Sequence, residues 1–249
     1  MERWSGRVAL VTGASAGIGA AIAQELVKKG LKVVGLARRV ERVQDLANSL
    51  KSAPGKLHPI KCDVTKEEEV KEVFKWVKDN LGGTDILVNN AGVGSANSLT
   101  GGPVENWRKI YDLNVLALSV CTKEALQSMK EKGVDDGHII HINSVAGHKV
   151  IHPFGLYSSS KHAVTALTEG LRRELVNQKS KIRVTSISPG AVKTEIFEVS
   201  GLSIDKMDEY KTMPYMESKD IADSVLYVLG TPPHVQIHEL TIIPVGEPF

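Results

Sequence analysis

The run Val8-Ala9-Leu10-Val11-Thr12-Gly13-Ala14-Ser15-Ala16-Gly17-Ile18-Gly19 decides the fold. Its first four residues are apolar without a break, the pattern of a strand buried on both faces of a parallel sheet. Behind the glycines, Ile18, Ile22 and Leu26 recur every four residues as one apolar helix stripe. A strand, a glycine-rich turn and a helix in this order bring backbone N–H groups and a helix N-terminus against a pyrophosphate. In that reading Gly13 permits the tight turn, Gly17 leaves room for phosphate, and Gly19 lets the helix approach the strand. Ser15 and Ile18 belong to the same loop. The spacing is Gly-x-x-x-Gly-x-Gly rather than Gly-x-Gly-x-x-Gly, and three glycines after a strand also suit a plain structural turn.

The alternation that begins here continues along the chain. Strands are expected at Arg7–Thr12, Lys32–Ala37, Leu57–Cys62, Asp85–Asn89, His138–Asn143, Arg183–Ser188 and near Gln236–Ile243. Helical stripes lie between them, such as Val70, Val73, Phe74 and Val77, in a segment opened by Thr65 as a plausible N-cap. Strand–helix alternation with right-handed crossovers predicts an α/β doubly wound parallel sheet, seven-stranded and of Rossmann type. There is no repeat or linker, so residues 1–249 are expected to form a single domain. The long irregular stretch 191–218 carries Ile196, Phe197, Leu202, Met207, Met213, Tyr215 and Met216, the composition of an apolar substrate lid.

Composition narrows the function class. The chain holds 31 basic and 29 acidic residues for a net charge of +2, which leaves no electrostatic footprint for nucleic acid or an anionic membrane. Two cysteines, Cys62 and Cys121, form no CxxC or paired framework. No apolar run is long enough to span a membrane, and no signal region opens the sequence. The expectation is a cytoplasmic protein with a reduced pair of thiols.

Several strand ends carry residues suited to a dinucleotide. The second strand runs into Arg38-Arg39, where an NAD site usually places a carboxylate. A guanidinium binds a 2′-phosphate bidentately and a carboxylate repels it, so NADP(H) is the expected cofactor. A solvated basic corner is the plain alternative. Asp63, followed by Val64, closes the third strand, where an acid accepts from an adenine amino group or caps the next helix. Asn89-Asn90-Ala91-Gly92 ends the fourth, small enough for close passage over a ribose or for a simple turn.

The chemistry centres on Tyr157-Ser158-Ser159-Ser160-Lys161, thirteen residues after Ser144 at the end of an apolar strand. Tyr157 and Lys161 share one helix face. A lysine ammonium at about 4 Å, with an effective dielectric near 20, stabilises a phenolate by about 4 kcal/mol, roughly three pKa units. That would make Tyr157 a proton donor and acceptor near neutrality, with Ser144 polarising the same oxygen. An isolated Tyr-x-x-x-Lys is more often a surface pair; the preceding serine changes the balance. His138 and His141 fall on opposite faces of one strand and make no metal site, and neither a P-loop nor a Gly-x-Ser-x-Gly elbow is present.

With these motifs on one chain, the sequence resembles the classical short-chain dehydrogenase/reductase family along essentially its full length. The resemblance rests on Thr12-Gly13-x-x-x-Gly17-x-Gly19, Asn89-Asn90-Ala91-Gly92, Asn114, Ser144, Tyr157-x-x-x-Lys161 and Pro189-Gly190. It implies a tetrad of Asn114, Ser144, Tyr157 and Lys161, with Asn114 holding a water that relays protons to the lysine; the residues alone read Asn114 as an ordinary helix asparagine. It also implies that Pro189, Gly190, Val192 and Thr194 form the nicotinamide-side loop and that Arg38 is the arginine of NADP-preferring members. Segments 114–122 and 134–140 and the tail 231–237 are similar to insect NADP-dependent farnesol dehydrogenases and a vertebrate relative that reduces steroid ketones. The tail departs from many members, which place a glycine-rich segment before the last strand.

Val93, Ala146, Val150, Phe154 and Leu156, with Phe197 and Met213 of the lid, would line an apolar pocket, although Val150 and Leu156 suit core packing as well. The expected reaction is the interconversion of a hydrophobic alcohol, such as farnesol, with its aldehyde. A steroid or xenobiotic carbonyl reductase is the alternative, and a non-catalytic cofactor-binding sensor or scaffold is the reading of another class. Leu116, Leu118, Val164 and Leu167 add apolar residues to helices that the family pairs between subunits, so the resemblance implies a homodimer or homotetramer.

Overall fold

The computed structural model describes residues 1–196 and 213–247. Seven strands form one parallel sheet: β1 Val8–Thr12, β2 Lys32–Ala37, β3 Lys56–Lys61, β4 Ile86–Asn89, β5 His138–Ile142, β6 Arg183–Pro189 and β7 Glu239–Ile242. Their order across the sheet is β3-β2-β1-β4-β5-β6-β7. The apolar runs behave as parallel strands should, since β1, β4, β5 and β6 are buried at every position. Strand β3 lies at the edge, which accommodates Pro59 because one side of an edge strand needs no ladder donor. Boundaries of the first six strands shift by at most one residue from the sequence expectation, and β7 starts at Glu239 rather than near Gln236.

Helices cover both faces. On one lie α1 Gly17–Lys28 and α2 Val40–Ser49, together with α7 Ser218–Gly230, around a core that includes Val11, Ile22, Leu26, Val43, Ile140 and Val225. On the other lie α3 Glu67–Leu81, α5 Leu118–Lys132 and α6 Gly155–Asn177, around Leu10, Val70, Phe74, Leu87, Met129 and Val184. Helix α4 Val104–Tyr111 leads through a π-helical turn, Asp112–Ala117, into α5. The stripe Val70, Val73, Phe74 and Val77 is buried as its spacing requires. Thr65 does not cap α3, however. The N-cap is Lys66, with no side-chain bond, because Thr65 is drawn into a turn by Asp63.

This order places the topological switch between β1 and β4, whose C-terminal ends diverge into a crevice where doubly wound sheets take ligands. Among the described residues no helix is long and apolar enough to cross a membrane, and no histidine, cysteine or acid cluster suits a metal ion. His138 bonds Thr185 and His141 bonds Thr168, both inside the protein. Cys62 and Cys121 are free and buried, and burial pushes both thiols up to about 12.

Candidate active site

The glycine loop leaves β1 at Thr12 and enters α1 at Gly17. Gly13 has φ +70° and Gly17 has φ +54°, the left-handed region that side chains with a β-carbon avoid. A β-carbon on Gly19 would overlap the Gly13 carbonyl oxygen, so its absence is what lets the helix close on the loop. A β-carbon at Gly17 would come within 3.2 Å of Thr194 Cγ2, which places the chain after β6 across the mouth of the loop.

A polar brace ties this loop to β4. Thr12 Oγ1 accepts from the N–H groups of Asn90 (3.0 Å) and Ala91 (2.9 Å). Asn90 Nδ2 in turn donates to the carbonyls of Thr12 (2.8 Å) and Gly13 (3.3 Å). Asn90 therefore shapes the floor of the crevice through the glycine loop, a role its sequence position did not reveal. The only trace was the amide at a strand end.

At the ends of β2 and β3, Arg38 is exposed and has no ion-pair partner among the described residues. Arg39 instead donates to Glu195 at 2.9 Å, and Arg42 donates to the other oxygen of Glu195 at 2.7 Å. No motif in the sequence marks Arg42 or Glu195. Asp63 Oδ1 accepts from the Thr65 N–H (3.1 Å) and hydroxyl (2.7 Å). Burial pushes the Asp63 carboxyl up, but the Thr65 bonds and nearby Arg38 outweigh it and hold the group below its ordinary range. Its backbone N–H is held by Glu69 at 2.7 Å, which fixes the Asp63-Val64 turn.

The four residues of the expected tetrad converge at the ends of β4 and β5. Ser144 follows β5, its Oγ accepts from the Ala146 N–H at 3.1 Å, and it lies near enough to the Tyr157 phenol to lower that group's pKa. Tyr157 is half-buried in the first turn of α6, and Lys161, 6% exposed, sits one turn on. Asn114 lies in the π-helical turn, not in ordinary α-helix. Such insertions recur at functional sites because the extra residue re-aims a side chain. Its Oδ1 accepts from the Val93 N–H (2.9 Å), and its Nδ2 donates to the Val93 carbonyl (2.9 Å) and to Ser160 Oγ (3.0 Å). A β-carbon on Gly92 would stand 3.4 Å from Asn114 Oδ1 and 4.0 Å from Lys161 Nζ, so the chain after β4 crosses directly over these groups.

The electrostatics differ from the expectation that Lys161 acidifies Tyr157. Lys161 Nζ lies 5.8 Å from the centre of the phenol ring and donates to the Ile142 carbonyl at 2.9 Å. Burial pushes the phenol up to about 12, against a smaller opposing effect of Ser144. Burial also pulls the ammonium down to about 8. Both shifts have one cause, since burial disfavours whichever form is charged. From protein groups alone, Lys161 loses its proton before Tyr157 does.

The loop after β6 contributes Pro189, Gly190, Val192 and Thr194. Glu247, near the chain's end, lies against Gly190 and accepts from the Ala191 N–H at 3.1 Å. Val192 bridges Met216, joining the two described ends of stretch 191–218. Phe197 and residues 197–212 of that stretch lie outside the described residues. Of the other expected pocket residues, Val93 and Met213 are partly exposed and Val150 is 75% exposed, so Val150 does not pack the core. Ala146 is fully enclosed, while Phe154 and Leu156 are buried at the start of α6.

A family model described as short chain dehydrogenase matches residues 7–202. A farnesol dehydrogenase of Aedes aegypti is 55% identical, with 100% of both chains covered. Dehydrogenase/reductase SDR family member 11 of Bos taurus is 50% identical over 98% of each chain. Among solved structures, an alcohol dehydrogenase of Thermococcus sibiricus complexed with 5-hydroxy-NADP superposes with a TM-score of 0.84 at 30% identity, covering 96% of this chain and 97% of that one.

Proposed function

The chain belongs to the short chain dehydrogenase family, and from that premise we propose that it is an NADP(H)-dependent oxidoreductase interconverting a hydrophobic alcohol and its aldehyde or ketone. The observation that carries the reading is the Tyr157 phenol within the influence of Ser144, with Lys161 one turn away, at the crevice edge of the sheet. The residues present fit a dinucleotide, because the positive-φ glycines leave a cradle that side chains would fill. Gly13, Ser15, Gly17, Ile18 and Gly19 would take its pyrophosphate. Arg38 and Arg39 would take a 2′-phosphate, Asp63 and Val64 the adenine, Asn90, Ala91 and Gly92 the ribose, and Pro189, Gly190, Val192 and Thr194 the nicotinamide. When bound, that cofactor supplies the hydride acceptor or donor.

The chain's own residues handle the proton and the orientation. Tyr157 donates a proton to a carbonyl oxygen or takes one from an alcohol, Ser144 orients that oxygen, and Lys161 stands one turn behind the phenol on the same helix. Asn114, fixed to Val93 and Ser160, is assigned to hold the proton-relay water beside Lys161. Farnesol is the leading substrate, from the likeness to the mosquito enzyme. Reduction of a steroid or xenobiotic carbonyl is the second reading, favoured by a phenol that stays protonated to about 12 and so is ready to donate. Turnover of a panel of isoprenoid alcohols, aldehydes and steroid ketones with NADP and NADPH tests both. Activity confined to polar polyols would remove the apolar-substrate reading. Of the four apolar residues expected at a subunit face, Leu116 and Leu167 are exposed, whereas Leu118 and Val164 are buried in this chain's own core; sedimentation distinguishes a dimer or tetramer from a monomer.

A further inference from the structure

We propose that Glu195 is an internal stand-in for the cofactor's 2′-phosphate, holding Arg39 and Arg42 until the phosphate displaces it, and that Arg42 is thereby a third phosphate-binding arginine. The inference rests on the NADP(H) reading and names how that site is regulated. Glu195 places one carboxylate oxygen on each arginine, at 2.9 Å from Arg39 Nη2 and 2.7 Å from Arg42 Nη1. This forked arrangement is the one a phosphate makes with paired guanidinium groups. The two arginines come from the turn after β2 and the first turn of α2, where the ribose end of a dinucleotide lies in this topology. Glu195 arrives from 153 residues further along the chain, so no local helix geometry accounts for the pairing.

The magnitudes favour displacement. The side chains of Arg39, Glu195 and Arg42 are 42%, 38% and 44% exposed, and ion pairs this open are weak. A phosphate monoester brings nearly two negative charges and three acceptor oxygens against one carboxylate, and Arg38 stands beside the pair without an ion-pair partner among the described residues. Glu195 also sits between Thr194, which lies over Gly17, and Ile196, which lies over Gly94. An unphosphorylated ribose has no charge with which to make this exchange, so Glu195 tunes affinity for one cofactor and leaves the other alone.

Calorimetric titration with 2′,5′-ADP and 5′-AMP tests this without any need for turnover. Glu195→Gln should bind 2′,5′-ADP about fivefold more tightly, the scale of two open ion pairs, and 5′-AMP unchanged. Arg42→Ala should weaken 2′,5′-ADP several-fold and spare 5′-AMP, with an unchanged melting temperature in both variants. A wild-type protein that prefers 2′,5′-ADP, combined with a Glu195→Gln variant that binds it no better, overturns the displacement while leaving the NADP(H) reading standing. A wild-type protein with no preference for 2′,5′-ADP overturns both.

Discussion

The glycine loop and the Tyr157–Lys161 pair lie on the same edge of the sheet, yet they are held in opposite ways. The loop is a backbone object. Its shape follows from left-handed glycines and from Thr12 and Asn90 bonds that satisfy main-chain groups. The tyrosine–lysine pair is a side-chain object in which a half-buried phenol stands beside a buried ammonium and neither shift favours its charged form. The first region should therefore resist change through stability, and the second should spend stability on reactivity.

Removing the phenol oxygen should give the largest effect. Tyr157→Phe loses the proton donor, and kcat/KM should fall about 10³-fold, within the range for general acid–base catalysis. The melting temperature should hold, since the ring and its packing remain. Turnover at the wild-type rate would take tyrosine out of the mechanism and favour the scaffold reading.

Lys161→Met separates the two regions most sharply. Below about pH 8 the folded protein carries a buried ammonium whose shift from 10.5 to about 8 corresponds to a cost of about 3 kcal/mol. The sign follows from the depressed value: the cost is fully present below the folded pKa and fades as pH rises from about 8 toward 10.5. Methionine removes it, offset by about 1–3 kcal/mol for the Ile142 carbonyl left without its donor. Activity should drop about 100-fold while the melting temperature at pH 7 is no lower than wild type. Relative to wild type, the variant should lose ground at pH 9.5. Thermal melts at the two pH values check this, and a large loss of stability at pH 7 would contradict the reading of Lys161 as a costly buried charge.

The same contrast explains what the sequence made legible. Gly13, Gly17 and Gly19 were readable because only glycine meets their backbone demands, and the tyrosine and lysine because a helix spacing of four places them together. The alternation of strands and helices fixed the layer architecture, since each apolar period has one burial that satisfies it. The protonation order of Tyr157 and Lys161 was not readable, because it depends on how far packing excludes water from each. The π-turn at Asn114 left no periodic trace. The Thr12–Asn90 brace and the Glu195 fork join residues far apart in the chain, and pairings of that kind appear only once the sheet order is known.

On the loop side, Thr12→Val should act through stability. Valine keeps the strand and its burial but leaves the N–H groups of Asn90 and Ala91 without their acceptor. Two unsatisfied donors in part-buried positions should lower stability by about 2–3 kcal/mol. NADPH binding should weaken with it, because the β1–β4 crevice loses its floor. Denaturant titration measures the first effect and fluorescence titration of NADPH the second. A variant that keeps both quantities at the wild-type level would show the brace to be dispensable.

The smallest effect is expected at Asp63, where the two kinds of support meet. Asparagine retains the Oδ1 that accepts both Thr65 bonds, so Asp63→Asn should keep the turn and its stability. What disappears is the negative charge near Arg38, one of the groups that holds the Asp63 carboxyl below its ordinary range. Arg38 is exposed, so the relief is screened and worth a few tenths of a kcal/mol. NADPH should bind about twofold more tightly, and the difference from wild type should vanish at 1 M salt, where the Debye length is about 3 Å. Weaker NADPH binding that persists at high salt would mean that the carboxylate itself, and not the oxygen that asparagine preserves, holds the adenine.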